Sequence, residues 1–257
     1  MTMSEPDTLT VTAAALAIGD ELLSGRTKDK NIGHLAEMLT AAGIALEEVR
    51  IVPDDQQRIV EALDALRTRY DYVFTSGGIG PTHDDITADA VAAAFGVPCD
   101  HDSDALALLG AHYAERGLEF TPARQRMARM PLGSRHIDNP VSRAPGFIIG
   151  NVHVMAGVPS VFQAMLDNVL PTLKTGTKLL SEKVSCPFGE GDIGDPLSLI
   201  AKAHPDVNIG SYPRFSGAGF STEIVIRGRE RDLIEAARRD IEAMLASVAQ
   251  KLGTAAV

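Results

Sequence analysis

Three times between Thr10 and Phe95 a short apolar run stops at a glycine or an acidic turn and gives way to a helical pattern. That alternation confines the chain to a sheet whose strands run side by side in one direction. Thr10–Ile18 is built from Val, Thr, Ala, Leu and Ile, stops at Gly19 and reads as a buried strand. Asn31–Ala42 sets Ile32, Leu35, Leu39 and Ala42 at helical spacing, with Gly43 as the stop. Leu46–Val52 is the second strand. Gln56–Arg69, with Ile59, Leu63 and Leu66 on one face, is the second helix, and Tyr72–Thr75 is the third strand. Thr87–Phe95 is an Ala-rich helix stopped by Gly96. The expectation is an α/β fold, a doubly wound and mostly parallel sheet covered on both faces.

The remainder is less regular. Ser103–Arg116 and Pro122–Arg129 read as helices, Phe147–Ile149 and Val152–Met155 as strands of a hairpin turning at Gly150-Asn151, and Ser160–Leu173 as a helix. The polar segment Lys174–Thr177 is the expected boundary between a domain from Leu9 to Leu173 and a small α+β domain over Lys178–Val257. The latter reads as a strand, a helix over Pro196–His204, strands over Val207–Tyr212 and Thr222–Arg227, and a helix over Asp232–Leu252.

Parallel sheets bind ligands where loops leave the carboxyl ends of their strands, and here those loops are acidic. After the third strand comes Ser76-Gly77-Gly78-Ile79-Gly80-Pro81-Thr82-His83-Asp84-Asp85-Ile86-Thr87. Its glycines let backbone approach a ligand closely, and the helix that follows turns its positive end to the same place. The blander reading is a tight turn with Asp85 and Thr87 capping a helix. Gly19-Asp20-Glu21 follows the first strand and Pro53-Asp54-Asp55 the second. Either could be solvated charge or, at Asp54 or Asp55, a helix cap. Their convergence on one sheet edge favours a site, with Asp54 and Asp85 as catalytic candidates and Asp84 and Asp85 as metal ligands. Clustered carboxylates repel, and Mg²⁺, Mn²⁺ or Co²⁺ would relieve the cost. Gly157 and Pro159, at the junction Met155–Ser160, serve a ligand contact or a good helix start equally well.

Composition removes several function classes. The formal net charge is -10, whereas a nucleic-acid binder needs a cationic field, so nucleic acid is not an expected partner. Cys99 and Cys186 have no metal-ligand spacing and suit a reducing compartment. From Met1 to Gly25 there is no Lys or Arg, so no signal peptide is expected. No apolar run approaches the ~20 residues that cross a bilayer. Cytoplasm is the expected address, away from membranes. Walker A, GxGxxG and GxSxG patterns are all absent, so a P-loop NTPase, a Rossmann dehydrogenase and a serine hydrolase lack support. Arg124, Arg126, Arg129, Arg135 and Arg143 give Pro122–Arg143 local positive charge, which solvates a face, offsets the acidic loops or meets a phosphate.

Taken in order, Gly19–Gly25, Asn31, Gly77–Thr87 and Gly157-Val158-Pro159 resemble the MoaB/Mog-like molybdopterin-binding domain. The likeness is greatest to the N-terminal region of the competence/damage-inducible CinA proteins and the N-terminal domain of eukaryotic FAD synthases. The resemblance implies a homo-oligomer, a dimer or trimer, and a pocket for a nucleotide diphosphate or a pterin. Gly19, Asp20, Glu21, Asn31, Ser76, Gly77, Gly78, Gly80, Pro81, Thr82, Thr87, Gly157 and Pro159 would form the ligand pocket. The two important aspartates of Mog-type proteins map by motif onto Asp54 and Asp85. CinA-type members carry metal-dependent ADP-ribose pyrophosphatase activity and the FAD-synthase domain is linked to FAD hydrolysis, which makes such a hydrolase the first expectation. A molybdopterin-binding or adenylylating protein of molybdenum cofactor synthesis is the second, and a non-catalytic nucleotide-binding module the third. His83-Asp84-Asp85 departs from the Mog-type loop, which has a basic residue before a single Asp. Nothing in the sequence resembles the amidohydrolase domain of full-length CinA or the catalytic domain of FAD synthase, so neither of those activities is carried over.

Overall fold

The computed structural model describes Thr10–Ser216 and Gly219–Gly253, and the chain divides into two compact units after Gly176. The first unit begins with β1 (Val11–Ile18), α1 (Asp20–Leu23), α2 (Asn31–Ala41), β2 (Ile44–Val52), α3 (Gln56–Arg67), β3 (Tyr72–Ser76) and α4 (Thr87–Phe95). It continues with β4 (Cys99–His101), α5 (Ser103–Glu115), α6 (Pro122–Gln125), β5 (Arg129–Pro131), β6 (Arg135–Ile137), β7 (Gly146–Ile149), β8 (Val152–Met155) and α7 (Pro159–Val169). Six strands form the main sheet in the order β2-β1-β3-β8-β7-β6. β2, β1, β3 and β8 run parallel, β7 runs against them, and β6 at the far edge pairs antiparallel with β7. The fold is thus α/β with a mostly parallel sheet.

The alternation of β1 explains the two-sided cover. Ala14, Leu16 and Ile18 face a core made by Ile59, Leu63 and Leu66 of α3, Ala90 and Val91 of α4 and Leu109 of α5. Val11, Ala13 and Ala15 face the other core, with Leu35 and Leu39 of α2 and Phe162, Met165 and Leu166 of α7. A strand buried on both faces needs no polar position, hence its unbroken apolar run from Ala13 to Ile18. β7 and β8 pair through Ile149 and Val152 across Gly150-Asn151. Asn151 secures this hairpin by donating its side-chain amide to the carbonyls of Arg67 and Tyr70.

Several elements differ from the sequence expectation. The helix expected over Pro122–Arg129 is only α6 and a 3₁₀ turn at Arg126–Ala128, and Arg129 opens β5. β5 pairs antiparallel with β4, and the Ala128 carbonyl accepts from the Asp102 N–H at 2.9 Å, so tertiary pairing wins over local helical pattern. β4, β5 and β6 are three-residue strands too short to show an alternation.

The second unit contains β9 (Leu180–Cys186), α8 (Glu190–Ala203), β10 (Asn208–Ser216), β11 (Gly219–Gly228) and α9 (Arg231–Leu252). Its antiparallel sheet has the order β10-β11-β9, and its core joins Val184, Cys186, Ile224 and Ile226 to Ile193, Leu197, Ile234 and Ile241. α8 begins at Glu190, before the expected start at Pro196, so the proline lies inside the helix. Pro196 forfeits one backbone hydrogen bond. Glu190 and Asp192 in the first turn and the buried pair Ile193 and Leu197 offset that loss.

Candidate functional site

The four parallel strands release their loops at one edge of the sheet, and these loops enclose a cleft of about 550 Å³. That volume suits a small organic ligand. Its lining combines the acidic Glu21, Asp54, Asp84 and Asp85, a glycine floor of Gly77, Gly78 and Gly80, and the apolar Met127, Ala144, Val158 and Val161, with Asn139 and Ser142 beside Ala144. No Lys, Arg or His lines it.

The glycine floor is fixed by its neighbours. Gly77 has φ 111°, and a Cβ there would stand 2.2 Å from the Ile18 carbonyl oxygen at the end of β1. Gly78 has φ 70°, and its Cβ would meet Thr87 Oγ1 at 2.1 Å. Thr87, fully buried, donates its hydroxyl to the Gly77 carbonyl at 2.9 Å and its N–H to the Gly78 carbonyl at 3.0 Å. The first N–H of α4 is therefore spent on the loop rather than offered to a ligand. Gly77→Ala is expected to cost about 1–3 kcal/mol from the forced dihedral and to abolish ligand binding. Thermal unfolding and a ligand titration measure the two losses, and an unchanged melting temperature would contradict this account of the floor.

The acidic side separates two roles that sequence left joined. Asp55 caps α3, accepting from the Arg58 N–H at 2.9 Å, which leaves Asp54 for the cleft. Asp54 Oδ2 accepts from the Asp20 N–H at 3.0 Å. Burial pushes the Asp54 carboxyl above the usual range. The Asp20 N–H opposes that shift, and the charges of Asp20, Glu21 and Asp84 add to it. Asp85 does not cap α4, whose N-cap is Ile86. Its Oδ2 accepts from the Thr82 N–H at 2.7 Å and the Thr82 hydroxyl at 2.6 Å, closing the Thr82–Asp85 turn. Arg126 holds the same turn from outside by donating Nε and Nη2 to the Asp85 carbonyl at 3.3 and 3.1 Å.

Of the residues marked in the sequence, Gly19, Glu21, Asp54, Gly77, Gly78, Gly80, Pro81, Asp84, Asp85, Gly157 and Pro159 line the cleft. Asp20, Asn31, Ser76, Thr82 and Thr87 do not. The Asp20 carboxylate is out of the wall, and its backbone N–H serves Asp54. Asn31 is buried behind the floor and donates its side-chain amide to Ser76 Oγ at 2.7 Å and to the Gly157 carbonyl at 2.8 Å, tying two loops together. Among the described residues no group of three or more His, Cys, Asp or Glu side chains is gathered for a metal ion.

One wall was invisible in the sequence reading. Asn139, Ser142 and Ala144 line the cleft from the segment before β7. Asn139 is buried and saturated: it donates to Ser142 Oγ at 2.6 Å and the Ala144 carbonyl at 2.8 Å, and accepts from the N–H groups of Val141 and Ser142 at 3.1 and 3.2 Å. The network holds Arg143 at φ 66°, a left-handed conformation that a side chain resists by about 1–2 kcal/mol. Asn139-Pro140 and Ala144-Pro145-Gly146 are turn signals that mark the segment. Asn139→Ala should lose roughly 2–3 kcal/mol, because it orphans four polar groups at once. Denaturant titration reads the loss, and a midpoint shift too small to resolve would refute the network's role.

The family described as "probable molybdopterin binding domain" matches residues 14–175. The chain belongs to that family. Its second unit matches the middle domain of FAD synthase over residues 178–251. A protein of Pyrobaculum arsenaticum is 38% identical over 208 residues, covering 77% of this chain and 78% of the relative. A CinA-like protein of Myxococcus xanthus is 38% identical over 210 residues, covering 76% of this chain but 49% of its own length. The crystal structure of CinA from Thermoplasma acidophilum, a protein of unknown function, superposes with a TM-score of 0.59 at 33% identity, over 63% of this chain and 98% of that one. This is a CinA-like member of the molybdopterin-binding-domain family. In such a domain the cleft at the strand ends, rather than the sheet faces, is where a ligand reaches side chains from four loops.

Proposed function

We propose that this protein is a metal-dependent nucleotide pyrophosphatase acting on ADP-ribose or a related diphosphate such as FAD. The observation that carries the reading is the cleft itself, whose lining joins four acidic residues, a glycine floor and an apolar set and has no basic side chain. An aromatic base suits the apolar residues. A diphosphate against four carboxylates and no lining cation needs an added positive charge. The oxygen-only donors Asp84 and Asp85 fit Mg²⁺, Mn²⁺ or Co²⁺ held by one or two carboxylates together with ligand phosphates and waters. A bound cation would supply neutralisation of the phosphate oxygens.

Hydrolysis then needs a base. Asp54, whose carboxyl burial and like charges push upward, is a better proton acceptor than a solvated aspartate. It takes a proton from a water as the water oxygen bonds to phosphorus. The bridging P–O bond breaks toward the departing phosphate, and ADP-ribose plus water gives AMP and ribose 5-phosphate. The Thr82–Asp85 turn sets the carboxylates against the glycine floor. The family resemblance adds a homodimer or homotrimer in the cytoplasm, which light scattering and fractionation test.

A second reading, a pterin-binding or pterin-adenylylating protein of molybdenum cofactor synthesis, draws on the description of the matching family. A panel of ADP-ribose, FAD, NAD and dinucleoside polyphosphates with each of the three metals, read by product chromatography, tests the main reading. Release of a nucleoside monophosphate from a diphosphate supports it. A silent panel with tight molybdopterin binding would replace it with the second.

A further inference from the structure

A second groove of about 480 Å³ shares Pro81 with the acidic cleft and is lined by His83, His101, Arg126 and Arg129 and by no carboxylate. In a chain of net charge -10 this concentration of cations and N–H donors is out of character, and three separate segments build it. The register of β4 with β5 sets His101 directly across from Arg129. The 3₁₀ turn before β5 supplies Arg126, and the exposed tip of the glycine loop supplies His83.

The two guanidinium groups are held in advance. Arg129 makes a two-pronged pair with Asp89, Nη1 to Oδ2 at 2.8 Å and Nη2 to Oδ1 at 2.6 Å, and keeps Nε outside that pair. Arg126 is anchored through Nε and Nη2 to the Asp85 carbonyl, and its Nη1 has no hydrogen bond among the described residues. Both side chains are more than two-thirds buried, so their charges are less screened than those of exposed arginines. Two opposing carboxylates flank the groove without lining it. Asp89 is occupied by Arg129 and also stands 3.8 Å from Arg126 Nη2, and Asp100, whose carboxylate lies 3.6 Å from His101 Nδ1, has a side chain 91% exposed. Donors on two anchored guanidinium groups, Arg129 Nε and Arg126 Nη1, with flanking imidazoles suit a tetrahedral dianion better than a metal.

We infer that this groove, which meets the acidic cleft at Pro81, is a binding site for a phosphomonoester group. It deepens the pyrophosphatase reading, because each product of diphosphate cleavage ends in such a group. Pro81 belongs to both linings, so the two sites are neighbours. Its test needs no turnover. Ribose 5-phosphate and AMP are titrated separately into the full chain at fixed pH and ionic strength, with histidine ring signals followed by NMR and sodium chloride as control. Saturable shifts at His83 and His101 with either phosphomonoester are expected. The double variant H83Q/H101Q, whose changes lie on the surface, should weaken that affinity on the order of tenfold through loss of two charge-assisted donors. Circular dichroism checks that it folds. R126K, which keeps the charge and loses the fork, should weaken it as well. Signals that move equally with chloride, or that respond to neither phosphomonoester, would overturn the site, as would wild-type affinity in the double variant. Binding in the groove with a silent substrate panel would instead retain the site and remove the pyrophosphatase reading.

Discussion

Asp85→Asn is expected to reduce turnover of ADP-ribose by about a hundredfold or more, the span seen when one stabilising group is lost from an active site, while leaving the fold intact. The side chain closes a turn by accepting twice from Thr82, and an Asn carbonyl oxygen replaces that acceptor. The Asp85 backbone, which Arg126 grips, is untouched. What goes is one negative charge at the edge of the glycine floor. A hard cation would bind more weakly there. Metal-free ADP-ribose should bind as well as before or more tightly, since a like charge has left the neighbourhood of the phosphates. Turnover and metal-free affinity therefore move apart, a pattern that simple damage to the turn would not give. Retention of wild-type rates at saturating metal would take the catalytic role from this residue. A wild type that binds without turning over would leave only the affinity change, and the domain would be a binding module.

The large elements were legible because each repeats a physical rule over many residues. β1 is readable as a strand buried on both faces from Val11, Ala13, Leu16 and Ile18. α3 is readable from Ile59, Leu63 and Leu66, all of them fully buried. The acidic loops were legible for the same reason: parallel strands leave their loops at one edge, whatever those loops contain. Short or non-local features were not legible. β4 and β5 owe their existence to each other, and neither three-residue strand has a period of its own. Asn139 looks like any turn asparagine until its four partners are placed around it. Asn31 lay within a motif, but its contacts with Ser76 and Gly157, which make it a tie between loops, could be seen only in the structure. Adjacent acids in Pro53-Asp54-Asp55 are equivalent on paper. Only the direction of each side chain makes Asp55 a cap and Asp54 a member of the cleft.

Asp54 carries a cost that its own substitution should expose. Burial and the surrounding carboxylates raise its folded-state pKa, while in the unfolded chain it returns to about 3.9. The folded protein thus binds this proton more tightly than the unfolded one. The stability that comes with protonation is fully present below the unfolded pKa and is lost as pH rises through the folded pKa. At neutral pH the fold holds an ionised carboxylate in a place that disfavours it. Asp54→Asn keeps an oxygen for the Asp20 N–H and removes the charge, so the variant should melt at a higher temperature than wild type at neutral pH. The two should converge as pH falls below the unfolded pKa. Activity should move the other way, by about a hundredfold to ten-thousandfold, the contribution of a positioned general base. The acid limb of kcat/KM, set in wild type by deprotonation of Asp54 above the ordinary carboxylate range, should vanish in the variant, leaving a low rate with a flat pH profile. Melts and rates measured across the same pH series test both halves. A variant less stable than wild type at neutral pH would show that burial of this charge is not a net cost, and one that keeps both its rate and its acid limb would give the proton to another group.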